Sequence, residues 1–234
     1  MPGARGAAIE ALTLDLDDTL WPVWPAIERA ERELHAWLVD HAAATARRFD
    51  VVGMRDLRNV VALEHPEWGH DFTRMRRVSL ARALTLAGDD PALADPAFDV
   101  FFAARNRVEL FADALPALEA LARRRPIIAL TNGNADLHAI GVAAHFVATV
   151  SAREFGIGKP DPRIFHEACR RHGAAPHAVL HIGDDWELDI VGAQRAGLRS
   201  AWVRRDPALA PPAGAQTADC TVRDLHELVG WLDD

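Results

Sequence analysis

The chain has 234 residues and a formal net charge of −8, which argues against a nucleic-acid binder, because phosphate backbones demand a clustered surplus of Lys and Arg. Half of the residues are hydrophobic, enough for a sizeable core in one large domain or two smaller ones, yet no apolar run reaches the roughly 18 residues of a membrane span. Cys169 and Cys220 stand far apart without metal or redox spacing, and the N-terminus has Arg5 but no continuous apolar stretch, so a cytoplasmic protein without a signal peptide is expected.

Residues 9–16 read as a short apolar strand that ends in carboxylates. From Val23 to Phe111 the spacing turns helical: Ile27, Ala30, Leu34, Trp37 and Leu38 recur at three- and four-residue steps, and Val78, Ala81, Leu84 and Leu86 suggest a second apolar face. After Asp113 helix and strand alternate. A helix over Leu115–Arg123 precedes a strand over Ile127–Leu130, and a helix over Asp136–Ile140 precedes a strand over Phe146–Val150. Asp161-Pro162 pairs an N-cap with proline at the first helical position and opens a helix to about His172. A strand over Val179–Ile182, a helix over Leu188–Ala196, a strand over Ser200–Val203, a loop over 204–216 and a helix over Arg223–Trp231 complete the chain. The runs Arg123-Arg124-Arg125 and Arg204-Arg205 read as solvated helix ends or loops.

Repeated strand–helix units imply an α/β fold: a doubly wound, Rossmann-like parallel sheet covered by helices on both faces. Residues 1–21 and 112–234 would form that core, and residues 22–111 an inserted, all-helical cap. Ligands of such sheets bind at the carboxyl ends of the strands, near the switch point of strand order.

Polar residues collect where those strands end. The clusters are Asp15-Leu16-Asp17-Asp18-Thr19, Thr131-Asn132-Gly133-Asn134, Gly158-Lys159-Pro160-Asp161 and Gly183-Asp184-Asp185-Trp186-Glu187-Leu188-Asp189. Any one of them alone is explained by turn formation or helix capping. Four converging on one sheet edge are not. Two like charges at about 4 Å repel by roughly 4 kcal/mol at an effective dielectric of 20, so Asp15, Asp17 and Asp184 require a compensating cation. Hard oxygen donors without histidine or thiolate suit magnesium, and Lys159 adds a fixed positive charge.

In order and content these motifs resemble those of the haloacid dehalogenase-like hydrolase superfamily, and the helical insertion resembles the alpha-helical cap of its first cap class. The resemblance implies that Asp15 is a nucleophile forming an aspartyl-phosphate and that Asp17 is the general acid and base. It implies Asp15, Asp17 (through its backbone carbonyl) and Asp184 as magnesium ligands. Thr131, Asn132 and Lys159 would bind the phosphoryl group. Asp189 would orient the lysine, with Asp185 beside it. The substrate partner would be a small phosphorylated metabolite, with neither nucleic acid nor membrane involved, and the protein a monomer or homodimer. Within the superfamily the chain resembles bacterial phosphatases acting on flavin mononucleotide and on the phosphorylated ribitylaminouracil precursor of riboflavin. That likeness includes Glu64-His65-Pro66-Glu67-Trp68, His70-Asp71-Phe72-Thr73-Arg74 and Ile128-Ala129-Leu130-Thr131-Asn132-Gly133-Asn134-Ala135. On the functional reading, Trp68, His70, Asp71, Arg74 and Arg77 contact a polar ribityl chain and a planar ring; on the bland one they pair along a helix.

Rival readings differ in specific residues. The dehalogenase branch lacks the second aspartate, and Asp17 is present here. A phosphomutase keeps it. A non-catalytic binding module would have lost one of Asp15, Asp17, Lys159 or Asp184, and all four are intact. His35, His41, His138 and His181 fit no metal spacing, and His181, inside a strand, reads as a satisfied core histidine. Trp21 and Trp24 line the pocket, stack on a flavin ring or pack at a hinge stiffened by Pro22 and Pro25.

Overall fold

The computed structural model describes residues 9–233; the expectation built on Arg5 lies outside them. Six parallel strands form one sheet: β1 (Ala11–Leu14), β2 (Ile127–Thr131), β3 (Ala148–Ser151), β4 (Val179–Gly183), β5 (Arg199–Val203) and β6 (Cys220–Val222). Their order is β3-β2-β1-β4-β5-β6, so the chain builds outward from β1 on one side and then returns to its other side. Every residue of β1, β2 and β4 is buried, as expected when helices cover both faces of a parallel sheet. The register sets Thr13 beside both Ile128 and His181. On that face Ala11, Ile128, Leu130, Val150 and Val179 pack against Ile164, Phe165, Ala168 and Ala193.

Eleven α-helices occur among the described residues. They are α1 (Val23–His41), α2 (Ala43–Arg48), α3 (Val51–Glu64), α4 (Phe72–Ala87), α5 (Ala94–Arg105), α6 (Ala114–Ala122), α7 (Leu137–Ile140), α8 (Ala152–Phe155), α9 (Pro162–His172), α10 (Gly192–Arg195) and α11 (Leu225–Asp233). None is long and apolar enough to cross a membrane. The Asp161-Pro162 start of α9 is as the sequence indicates, with the Asp161 carboxylate accepting from the Arg163 amide.

Several elements differ from the expectation. The single helix expected over Leu188–Ala196 is a π-helical turn over Trp186–Val191 followed by the short α10. β6 was not expected: three residues with Thr221 exposed are too short to show a period. The apolar stripe of α4 is Leu80, Ala83 and Leu84, whereas Leu86 is 44% exposed.

The chain divides into two compact units. One comprises the sheet segments up to Trp21, Glu109–Gly133 and the chain from Gly141 onward; the other comprises Pro22–Val108 with Asn134–Ile140. The helical unit has its own core, in which Ala30, Leu34 and Leu38 of α1 meet Leu80 and Leu84 of α4 and Ala97, Phe98 and Phe101 of α5. It also buries a charge. Glu31 accepts from Arg55 at 2.5 Å and faces Arg58 and Arg76 at 3.5 and 3.9 Å. Arg76 lies 3.5 Å over the Phe101 ring, and burial, with Arg58 next to it, pushes its guanidinium down to about 9. In the same unit the Trp68 ring carries His65 stacked at 3.7 Å and the Arg74 guanidinium 4.2 Å above it.

Arg205 is not a solvated loop residue. Its guanidinium donates two bonds to the Asp113 carboxylate, at 3.0 and 2.9 Å, and a further one to the Thr19 carbonyl at 2.7 Å, over the Phe111 ring. Asp113 also accepts from the Leu225 amide, and the Phe111 amide donates to the Leu20 carbonyl. These bonds tie together the points where the chain leaves β1 and returns toward α6. Burial opposes charge on Asp113, but Arg205 and the Leu225 amide outweigh it and hold the carboxyl below its usual range. Such a depressed carboxyl stabilises the fold above its unfolded pKa and loses that contribution as pH falls through the folded one. Asp113→Ala should therefore lower unfolding free energy by about 2–4 kcal/mol at pH 7. In urea melts the gap between variant and parent should narrow below about pH 4.

Candidate active site

Asp15 follows β1 directly, and its amide donates to the Ile182 carbonyl of β4 at 2.9 Å, which carries it one residue past the strand into the space between β2 and β4. The side chain is buried, and it meets the equally buried Lys159. The Lys159 ammonium donates to Asp15 Oδ1 at 2.5 Å and to Asp189 Oδ1 at 2.6 Å. Burial alone would lower the lysine; the two carboxylates outweigh it and raise the ammonium above its ordinary value. Asp189 is correspondingly held below the carboxylate range against its own burial, by Lys159 and then by His181.

The lysine loop is positioned by Asn132. Its side-chain oxygen accepts from the Lys159 amide at 2.7 Å, and its side-chain nitrogen donates to the Lys159 carbonyl at 2.8 Å. Asn132, expected on the phosphoryl group, thus uses its side chain to grip the backbone that presents the ammonium. Gly158 is needed for that grip, since a Cβ there would come within 2.7 Å of the Asn132 oxygen. The Thr131 hydroxyl accepts from the Gly133 amide at 2.9 Å and closes the turn after β2.

β4 supplies the remaining acids. Asp184 Oδ1 accepts from the Thr19 hydroxyl at 2.8 Å, and its carbonyl accepts from the Trp202 indole at 2.8 Å. Asp189 folds back over β4 on the π-helical turn: a Cβ on Gly183 would lie 2.2 Å from its carboxyl carbon, so only glycine fits. Asp189 Oδ2 accepts from the Asp185 amide at 3.0 Å, whereas the Asp185 carboxylate caps the turn through the Leu188 amide. Asp185 therefore acts through its backbone and as a cap, away from the lysine.

His181 is the satisfied core histidine that its strand position implies. Its partners give it more consequence: Nδ1 meets the Thr13 hydroxyl at 2.9 Å, and Nε2 meets Asp189 Oδ1 at 3.0 Å. Burial keeps the ring neutral by lowering its pKa. Nε2 then carries the proton toward the carboxylate, and Nδ1 accepts from Thr13. The alternation of β4 gives the only sequence signal for this, since His181 and Gly183 share a face.

Asp15, Asp184 and Asp189 each place an oxygen within 4.8 Å of the others. Asp17 is outside that group; its Oδ1 accepts from the Trp21 indole at 2.9 Å. Asp189 already serves Lys159, His181 and the Asp185 amide, which leaves Asp15 and Asp184 as the two carboxylates suited to a cation. One ammonium faces three acids. Burial raises Asp15 well above its ordinary value, against the pull of Lys159, and raises Asp184 to about 7 with the Asp189 charge adding to it. The site is short of positive charge, and its donors are hard oxygens, which fits a small divalent cation.

The profile of the haloacid dehalogenase-like hydrolase family matches residues 9–197. The chain is 34% identical over 84% of both chains to the 5-amino-6-(5-phospho-D-ribitylamino)uracil phosphatase YigB of Escherichia coli. It is 32% identical, again over 84% of both, to the glyceraldehyde 3-phosphate phosphatase of Methanopyrus kandleri. A solved structure described as a 2-haloacid dehalogenase from Pseudomonas syringae superposes with a TM-score of 0.89 at 38% identity, over 96% of this chain and 98% of that one. With the ordered acidic and lysine motifs gathered at one sheet edge, the chain belongs to the haloacid dehalogenase-like hydrolase family and is an enzyme of its phosphatase type.

Proposed function

We propose that the protein is a magnesium-dependent phosphatase that hydrolyses a small phosphate monoester through an aspartyl-phosphate on Asp15. The observation that carries this reading is the Asp15 carboxylate at the end of the central strand, bound to the Lys159 ammonium and close to Asp184. Asp15, Asp184 and the Asp17 carbonyl would hold the magnesium ion. When bound, that ion supplies Lewis-acid charge neutralisation between nucleophile and phosphate.

The residues divide the reaction between them. An Asp15 oxygen attacks phosphorus while Asp17 gives its proton to the departing oxygen. Water then attacks the aspartyl-phosphate, Asp17 takes its proton, and the Asp15 carboxylate is released with phosphate. Lys159 neutralises charge on Asp15 and on the phosphoryl oxygens, held in place by Asp189 and Asn132. The helical unit, spliced in between Trp21 and Glu109, would act as the cap that excludes water and reads the rest of the substrate.

For the substrate we propose a phosphorylated ribityl metabolite, 5-amino-6-(5-phospho-D-ribitylamino)uracil ahead of flavin mononucleotide. The similarity to YigB over most of both chains supports the ribityl phosphate. Trp21 is fully buried and so offers no ring to a substrate. A dehalogenase reading has one specific support, the description of the 38% identical structure. Against it stands Asp17, which that chemistry does not need. Release of halide from 2-chloropropionate, with no phosphatase activity, would establish it.

Asp15→Asn should reduce turnover by ~10²-fold or more while leaving the melting temperature unchanged or higher, because a desolvated carboxylate is replaced by a neutral isostere. Phosphate release and circular dichroism on the same preparation check both parts.

Magnesium affinity should fall as pH drops through about 7, where Asp184 takes up a proton. A carboxyl raised in the folded protein makes the metal-free form lose stability as pH rises toward that value, and the cation offsets this loss. Affinity should change by up to about tenfold per pH unit for each carboxyl protonated. Titration calorimetry at several pH values measures it; a flat profile would mean that these acids do not bind the ion.

In a panel of phosphorylated metabolites, the ribitylaminouracil phosphate should give the highest kcat/KM, above flavin mononucleotide, phosphoserine and glyceraldehyde 3-phosphate. If a triose or amino-acid phosphate leads, the ribityl assignment fails and the phosphatase stands.

A further inference from the structure

Trp21 is fully buried, so it cannot stack on a ligand. A buried indole N–H needs an acceptor, and here that acceptor is Asp17 Oδ1 at 2.9 Å. The same loop fixes the direction of the bond. The Leu20 amide donates to the Leu16 carbonyl and the Asp18 amide to the Trp21 carbonyl, both at 2.8 Å, and Asp17 and Trp21 form an isolated bridge. Asp18 stands in the left-handed region, at φ 59°, which closes the turn and brings the Trp21 ring back toward the Asp17 carboxylate. The Thr19 carbonyl is gripped by Arg205, and the Leu20 carbonyl by the Phe111 amide. The indole therefore rests on a rigid frame.

Resting on the acid–base reading of Asp17 given above, we propose that Trp21 is a positioning residue for that proton transfer. Its N–H holds one carboxyl oxygen and so sets the orientation from which Asp17 protonates the leaving oxygen. In that step the Asp15–phosphorus bond forms, the phosphorus–oxygen bond to the alcohol breaks, and the proton passes from Asp17 to the alcohol. The indole proton stays on nitrogen throughout. Proton transfer in a transition state depends on angles and distances that a hydrogen bond to one carboxyl oxygen helps to maintain. Phenylalanine would fill the same cavity without that donor, which makes the N–H separable from the packing.

The test uses kcat/KM, which reports steps up to departure of the leaving group, for an alkyl phosphate and for p-nitrophenyl phosphate. An alkoxide needs its proton, and nitrophenolate does not. Trp21→Phe should lower kcat/KM for the alkyl ester by about 10–100-fold and for the aryl ester by less than about threefold. Placed in an Asp17→Asn background it should cause no further loss on the alkyl ester, since the oriented group is already gone. Should Trp21→Phe fold poorly, 3-benzothienylalanine at position 21 removes the N–H with nearly the same ring shape, and the same ratio is read. Equal losses on both esters, or an additional loss in the Asp17→Asn background, would overturn the assignment and leave Trp21 as packing. Absence of turnover of either ester by the wild-type enzyme would instead overturn the phosphatase reading on which it rests.

Discussion

A single ammonium, buried from water and shared by two carboxylates, determines much of this structure. Desolvating a charged lysine is costly, and the bonds from Lys159 to Asp15 and Asp189 compensate for it. Three elements must then meet at one point: the end of β1, the loop before α9 and the π-helical turn after β4. The strand order permits this because β1 lies between β2 and β4, so the ends of all three strands border the same crevice. A fourth charge, Asp184, is kept close by Thr19, and the result is an acidic site that a divalent cation would balance.

Steric room is the second constraint. Bringing an aspartate back over the strand that precedes it leaves no space for a side chain at Gly183, and gripping the lysine loop leaves none at Gly158. Both glycines are explained by close approach, with no left-handed backbone required at either. The Asn132 side chain illustrates a related economy: by bonding both the amide and the carbonyl of Lys159, it fixes the ammonium through the main chain, where a side chain alone would be loose. Further out, Thr13 and His181 support Asp189 from the sheet itself.

The loop from Asp17 to Trp21 leads from the end of β1 into the helical insertion. Thr19 directs one side chain to Asp184 while its carbonyl is tied to Arg205, and Trp21 holds Asp17. Two acids are thus placed by one short, well-anchored turn. Within the helical unit, the Glu31 cluster and the stacked His65, Trp68 and Arg74 show charged and aromatic groups used for packing.

The sequence by itself determined the parallel α/β class and set Asp15, Asp17, Lys159, Asp184 and Asp189 in polar clusters near strand ends. Asp15 and Asp184 follow apolar runs at strand ends and Lys159 sits between glycine and proline, and such signals are local, whereas Asp17 and Asp189 are reached through the ordered motifs. The start of α9 at Asp161-Pro162 was legible for the same reason. Only the tertiary structure decided what these side chains touch. Thr13 and His181 are 168 residues apart and meet through parallel register, Arg205 finds Asp113 across 92 residues, and Asn132 turns to a backbone 27 residues away. The stripe of α4 and the short β6 were misread or missed because their burial depends on neighbouring elements, and local periodicity carries no information about those neighbours. The place of Trp21 depends on tertiary structure for a related physical reason: a residue type reveals that an indole N–H must be satisfied, but only the folded loop supplies Asp17 as its acceptor.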